Sequence, residues 1–345
     1  MHIREIARKF YRRYLLDAMS AMALGLFASL IIGLILSQLA MIPALAFLAD
    51  FGEIVSASSP VVGAAIGVAI AYGLKVAPLA MFSSAATGAL GYQLGGPVGA
   101  YFAAVVGAEL GNLVAGKTKV DIIVVPVVSI VSGCLVGTWA APGINNAVSA
   151  LQRFLEMATT LQPIPMGIIV SVVFGLALTA PISSAALAAM VFTVAEGEAM
   201  GEGLLLAAGA ATAGCCAQMV GFAVASYREN RVAGLIAQGL GTSMLQVGNI
   251  LAHPAILLPP TIASAITGPL ATTLFQMKNT SASAGMGTSG LVGQFGTWAT
   301  MAGESGVLLK ILLLHIVLPA ALTLLISEFM RKKGWIKFGD MKLNL

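Results

Sequence analysis

Six polar side chains fall inside otherwise apolar stretches of the C-terminal half: Asn249, His253, Asn279, Thr288, Ser289 and Gln294. Amides, hydroxyls and an imidazole supply donors and acceptors but no nucleophile with its base, so what they offer is hydrogen bonding to a small polar solute. Among them Gly285, Gly287 and Gly290 punctuate the run GMGTSG, where the missing Cβ lets the backbone turn and present its N–H groups. That run has no Lys and no strand before it, so it reads as the tip of a re-entrant hairpin rather than a phosphate loop. Glu109, three residues before Asn112, is the carboxylate that falls clearly inside an apolar run, Val98 to Ala115. It is a candidate for proton coupling, against the alternative of a neutral, hydrogen-bonded Glu in a scaffold helix. His253 has two readings as well, a lining residue or a His bonded to a carbonyl across helices. In the last helix Lys310 can snorkel to an interface and His315 can pack or bind. There is no Ser, His and Asp grouping, no pair of carboxylates in one helix, no HExxH and no nucleotide fingerprint, so no catalytic set emerges. Cys134, Cys215 and Cys216 lie in apolar segments without ligand-type neighbours and read as packing residues. Neither a metal nor a cofactor is expected.

The elements that must position these residues follow from composition. Of 345 residues 58% are hydrophobic and only 9% charged, with a mean hydropathy of +0.95; soluble domains carry roughly 25% charged residues. An integral membrane protein is the consequence. The apolar runs are long and do not alternate, which excludes a transmembrane barrel and leaves spanning helices. Candidate helices lie near 16–38, 60–76, 77–93, 97–115, 121–140, 163–180, 182–195, 203–226, 232–252, 255–277, 284–300 and 305–330. A crossing needs about 20 apolar residues, so 77–93, 182–195 and 284–300 read as broken or re-entrant pieces. The expected fold is an all-α polytopic membrane protein of about ten transmembrane helices plus re-entrant hairpins. Two further stretches, 39–58 and 144–162, mix apolar residues with Asp50, Glu53, Arg153 and Glu156 at helical spacing and read as helices on the outer surface.

The net charge of +4 is concentrated in the tails: Arg4, Arg8, Lys9, Arg12 and Arg13 at one end, Arg331, Lys332, Lys333, Lys337 and Lys342 at the other. Positive flanks stay inside, so both termini are expected in the cytoplasm of a bacterial-type inner membrane, with an even number of crossings. The charged loops at 116–119 and 227–231 fall on the same side, while Asp50, Glu53, Glu196, Glu198 and Glu202 fall outside. Topology accounts for the basic tails, and a nucleic-acid partner is not implied. No small-residue cleavage site follows the apolar run after Asp17, so that run reads as a retained first helix.

The halves differ. Gly63 and Gly67, Gly95 and Gly99, and Gly107 and Gly111 form Gly-x-x-x-Gly pairs in the first half, which serve close helix packing. The second half holds Pro254, Pro259, Pro260 and Pro269 near the polar side chains. Broken helices free backbone groups that hydrocarbon cannot satisfy, so they mark a transport pathway. The organisation is a basic tail (1–15), a glycine-rich scaffold half (16–160), a transport half with broken helices (161–330) and a second basic tail (331–345).

The segments GTSMLQVGNILAHP (241–254), PPTIASAITGP (259–269) and GMGTSGLVGQ (285–294), with GKTKVD at 116–121, resemble stand-alone membrane IIC components of the sugar phosphotransferase system, the PfoR-like proteins described as toxin regulators. The resemblance covers nearly the whole chain and implies a homodimeric permease with scaffold and transport halves. It also implies soluble phosphotransferase subunits acting in trans, since no domain with a phosphorylatable His or Cys is present. Sugar-transporting relatives carry a Gly-Ile-Thr-Glu motif whose Glu contacts a sugar hydroxyl. Here Met244 stands at the Glu position if Gly241–Met244 is the counterpart, and Gly268 if 264–269 is. Either way the acid is missing, which puts phosphotransfer during transport in doubt. The expected function is a permease for a sugar or sugar-like solute working by alternating access; the alternative is a membrane sensor or regulator that binds a ligand on the same fold.

Overall fold

The computed structural model describes residues 9–40, 42–56, 59–180, 183–194 and 198–343. Arg4, Arg8 and Glu196 lie outside the described residues. All regular structure among the described residues is helical, and the chain divides into two compact units, Met1–Leu151 with Ala189–Ala199, and Gln152–Ala188 with Met200–Leu345.

Unit 1 begins with α1 (Tyr11–Ser37) and the short α2 (Leu48–Ile54), which folds back so that Gly52 lies against Gly33 and Ser37. α3 (Pro60–Gly73) starts at Ser59, whose hydroxyl accepts the Val61 N–H, with Pro60 in the first turn, a pairing that satisfies one free donor and pre-sets φ. α4 (Pro78–Val114) is interrupted at Gly95 and at Gly96, whose φ is +56°. The interruption reverses the chain: a Cβ on Gly91 would stand 2.5 Å from the Gly99 carbonyl oxygen, and Asn112 accepts the Ala77 N–H at 2.8 Å. Residues 78–94 and 97–114 are therefore antiparallel arms joined by two glycines, as the separate candidates near 77–93 and 97–115 anticipated. α5 (Asp121–Leu161), whose residues from Gln152 on belong to unit 2, opens on Asp121, whose carboxylate organises the preceding loop through the Gly116 and Thr118 N–H groups.

At 41 residues, α5 is about 60 Å long, twice a hydrocarbon core of about 30 Å. The segment 144–162 is thus a continuation of the helix that starts at Asp121 and not a separate surface helix. Pro126 and Pro142 are carried inside it, each removing one ladder bond without ending the helix. Ile123, Val127, Val131, Leu135 and Trp139, four residues apart, form an exposed apolar stripe with Trp139 at 93% exposure. Such a face is tolerable only against lipid or another apolar surface.

Unit 2 contains α6 (Pro163–Thr179), α7 (Ser184–Phe192), whose last residues belong to unit 1, and α8 (Glu202–Ala225). α9 (Tyr227–Ile236) bends at Arg231, φ +52°, and leads through wide and tight turns at 237–246 to α10 (Val247–Ala252). α11 (Leu258–Thr272), α12 (Val292–Thr300) and α13 (Val307–Lys332) follow. The expected helix at 232–252 is thus in pieces, and of 284–300 only the second half is regular. The most apolar stretch of α8 is 94% buried, against 22% for α5. α8 is therefore the axis around which α6, α11 and α13 pack, and its Ala and Gly content lets them approach. Six helices in the described residues are long and apolar enough to cross a membrane, with α3 and α6 as shorter apolar helices. The protein is an integral membrane protein.

Candidate functional site

α8 meets its neighbours along two stripes. Positions 212, 215, 216 and 219 lie on one helical face by their three- and four-residue spacing, and each meets residues of the segment between α11 and α13. Asn279 Nδ2 donates to Thr212 Oγ1 at 2.7 Å, Gly287 lies against the Cys215 backbone, Gln294 Nε2 donates to Cys216 Sγ at 3.3 Å, and the Thr288 hydroxyl lies 3.7 Å from Met219 Sδ. The second stripe faces α6 and α11. There Ser171 donates to the Ser264 carbonyl and Ser264 to the Gly214 carbonyl, while Gln218 joins Thr179, Thr261 and, through Thr179, Ser243.

The segment at 277–291 is irregular yet buried, with Met277, Asn279, Ser283 and Ala284 inaccessible. Non-helical backbone at such depth needs internal partners, and Asn279 supplies many of them. Its Nδ2 also reaches Gly293 O and Thr297 Oγ1, and its Oδ1 accepts from the Thr280 N–H and the Ser283 hydroxyl. Gly285 O accepts the Ser184 hydroxyl at 2.6 Å, and Gly293 N–H reaches Gly287 O. Gly287 and Gly290 have φ of +55° and +53°, a region glycine enters without the Cβ penalty. Thr288 donates to Gly239 O at 2.5 Å, tying the segment to the turn at 237–241. Ser289 is half-buried and Gly290 exposed. Gln294 continues to His315, Nε2 to Nδ1 at 3.2 Å; Gln294 Oε1 and His315 Nε2 are buried without partners. Each such atom costs about 1–3 kcal/mol.

Asn279, Gly285, Gly287, Thr288 and Gln294 are thus brought together on one face of α8, with Ser289 and Gly290 at the edge of that group. Asn249 and His253 lie elsewhere, against the C-terminal segment. Asn249 Nδ2 donates to Gln246 Oε1 and to Lys342 O at 2.9 Å, and His253, half exposed, stands 3.6 Å from Asp340. This segment is not a loose tail. Met341 O accepts from Asn230 and Gln246, Leu343 N–H donates to Asn230 Oδ1, and Gln238 bridges Gln246 to Ser226. Ile336 and Met341 are buried against Phe222, Ala225, Ile256 and Met330. Arg331 joins the buried Glu229 at 2.8 Å.

In unit 1, Glu109 accepts from Arg13 Nε at 2.6 Å and from the Tyr14 hydroxyl at 3.0 Å. An Arg partner compensates its charge inside the apolar run, an arrangement between the two readings offered by the sequence.

A family model described as "Phosphotransferase system, EIIC" matches residues 16–343. The chain belongs to the phosphotransferase-system EIIC family. No curated protein and no solved structure matches it. As an EIIC protein it is a membrane transporter component. In this EIIC chain Met244 is 38% exposed, whereas Gly268 is buried tightly against Gly167. Among the described residues of unit 2 the carboxylates Glu156, Glu202, Glu229, Glu304, Glu328 and Asp340 stand near helix ends or in the terminal segment, away from the α8 stripes. Sequence reasoning missed Gln218, although it is the one amide in the run from Leu204 to Val224. It also missed the C-terminal clasp, whose amides at 230–249 donate to backbone carbonyls 93 to 111 residues further along the chain.

Proposed function

We propose that this EIIC chain is a permease that moves a small polar solute, a sugar or sugar-like molecule, through unit 2, with unit 1 as the glycine-packed scaffold. The observation that carries the reading is the buried irregular segment at 277–291, whose polar groups and glycines line one face of α8. Broken backbone beside a helix of small residues is how membrane transporters build a solute path at depth. The solute-lining residues of this reading are Asn279, Thr288, Ser289 and Gln294, with Gly285, Gly287 and Gly290 shaping the backbone. Asn249 and His253 serve the end of the path, where the C-terminal segment docks. Alternating access, about ten crossings with re-entrant hairpins, a homodimer, and both termini on the cytoplasmic side of a bacterial inner membrane complete the proposal. Soluble phosphotransferase subunits in trans fit the family, but with Met244 or Gly268 in place of the acid the reading assigns no phosphotransfer step. The test is uptake of labelled uncharged sugars and polyols by proteoliposomes. Saturable uptake supports the permease, and absence of flux for every solute tried contradicts it.

A second reading, a ligand sensor, is favoured by the docked terminal segment, since Gln246 and Asn249 of the broken helix hold Met341 and Lys342 directly. Occupancy of the α8 face could then be passed to the terminus. Solute binding without flux, with binding-dependent hydrogen exchange at 337–343, would select this reading over the permease.

A further inference from the structure

Resting on the permease reading, we infer that Gln294 and His315 together form the hydrogen-bonding centre that holds an uncharged hydroxyl group of the solute. Three observations converge on this pair. His315 is wholly buried and its Nδ1 meets the Gln294 amide, yet its Nε2 has no partner. Gln294 Oε1 is buried and unpartnered as well. His315 lies inside Leu312–Val317, a stretch of π-helix in the otherwise α-helical α13, and such wide turns gather at functional sites because they re-aim a side chain.

The chemistry of the pair limits what it can recognise. With the Gln294 NH2 donating to Nδ1, the neutral imidazole carries its hydrogen on Nε2, so the free groups are one donor, Nε2–H, and one acceptor, Oε1. Rotating the amide exchanges the roles, leaving the amide N–H as free donor and Nε2 as free acceptor. In both arrangements at least one donor and one acceptor remain. A hydroxyl group, which donates once and accepts, matches that offer. A phosphate or carboxylate needs donors only, and an ammonium needs acceptors only. A neutral ligand is also consistent with the pairing of Lys310, the charged residue nearest His315 along α13, with Glu304, and with Cys216 as the other polar partner of Gln294. The pair belongs to the same face of α8 as Gly287 and Thr288, so the solute would lie between α8, α12 and α13. In the structure the two groups are enclosed where α13 packs against α8.

The test uses the full chain in detergent and in proteoliposomes, with hexoses and hexitols as neutral probes and hexose 6-phosphates and amino acids as charged ones. Neutral probes are expected to stabilise the protein and to be taken up saturably, and charged ones to do neither. His315→Ala and Gln294→Ala should each weaken apparent affinity at least tenfold, with the double variant no worse than the weaker single, because both serve one group. His315→Gln, which restores a donor, should recover part of the loss. Should His315→Ala fail to fold, Gln294→Asn carries the comparison, since it keeps the amide but withdraws it from the imidazole. Wild-type uptake of neutral probes with unchanged affinity in the variants overturns the inference and leaves the permease standing. Uptake of charged probes alone does the same, and uptake of no probe overturns both.

Discussion

Units 1 and 2 bury different things. In unit 1 glycines bring helices to close range: Gly25 against Ala65 and Ile66, Gly63 and Gly67 against the first arm of α4, Gly91 against Gly99, Gly107 against the Ser129 carbonyl and Gly111 against the Ser129 side chain. In unit 2 the same kind of close approach, at Gly209, Gly214 and Gly268, is combined with Gln218, Asn279, Thr288 and His315 held out of solvent. Hydrocarbon offers no drive to bring helices together, so unit 1 shows the least that packing alone requires. The additional buried polarity of unit 2 is what a scaffold would not need, and it lies where the backbone is broken.

The largest effect is expected from a substitution in unit 1. Gly67→Leu places a side chain into the Ser84 carbonyl and against Gly88; overpacking of this kind costs about 3 kcal/mol or more. Loss of the monodisperse peak in detergent chromatography is expected, and a well-folded variant would show that α3 and α4 do not depend on backbone contact. Next comes Asn279→Ala, which strands the partners of a fully buried amide at a cost of about 2–4 kcal/mol. A clear drop in the thermal midpoint with loss of solute binding is expected; a stable variant that still binds would move the site away from the 277–291 segment.

A smaller effect is expected for Glu156→Gln. The Glu156 carboxylate in α5 accepts the Gly203 and Leu204 N–H groups at 3.0 and 2.6 Å, capping the positive end of α8. Removing the charge while keeping an acceptor should cost about 1 kcal/mol, read as a modest fall in thermal midpoint with solute affinity unchanged. At the bottom of the scale stands Gly143→Ala, a glycine of α5 with open space around it. Alanine there should be neutral or stabilise by up to about 1 kcal/mol, and marked destabilisation would mean that α5 is packed by a surface absent from this chain.

The membrane class, the glycine seams at Gly63 and Gly67 and at Gly107 and Gly111, and the break at Gly285–Gly290 were legible because each is a local property of sequence, whereas Gly95, read as one of a packing pair, sits at the interruption of α4. The polar segment 277–294 was legible for the same reason. What stayed hidden depended on pairings over long separations. His253 in its apolar run gave no sign of the clasp, where it stands half exposed beside Asp340. The residues after α13 read as a basic tail, with no sign that Ile336 and Met341 would be buried. Glu109 gave no sign of Arg13, which lies 96 residues earlier. His315 looked like a packing residue because its orphaned nitrogen is a matter of geometry.

Passage of solute along the α8 face of unit 2, as proposed, can be followed by solute protection of single cysteines. With Cys134, Cys215 and Cys216 replaced by Ala, Ser289→Cys and, as a unit 1 control, the exposed Lys117→Cys are labelled with a maleimide in proteoliposomes. Transported solute is predicted to slow labelling at 289 and leave 117 unchanged. Equal rates at 289 with and without a solute that the same protein transports would contradict the account.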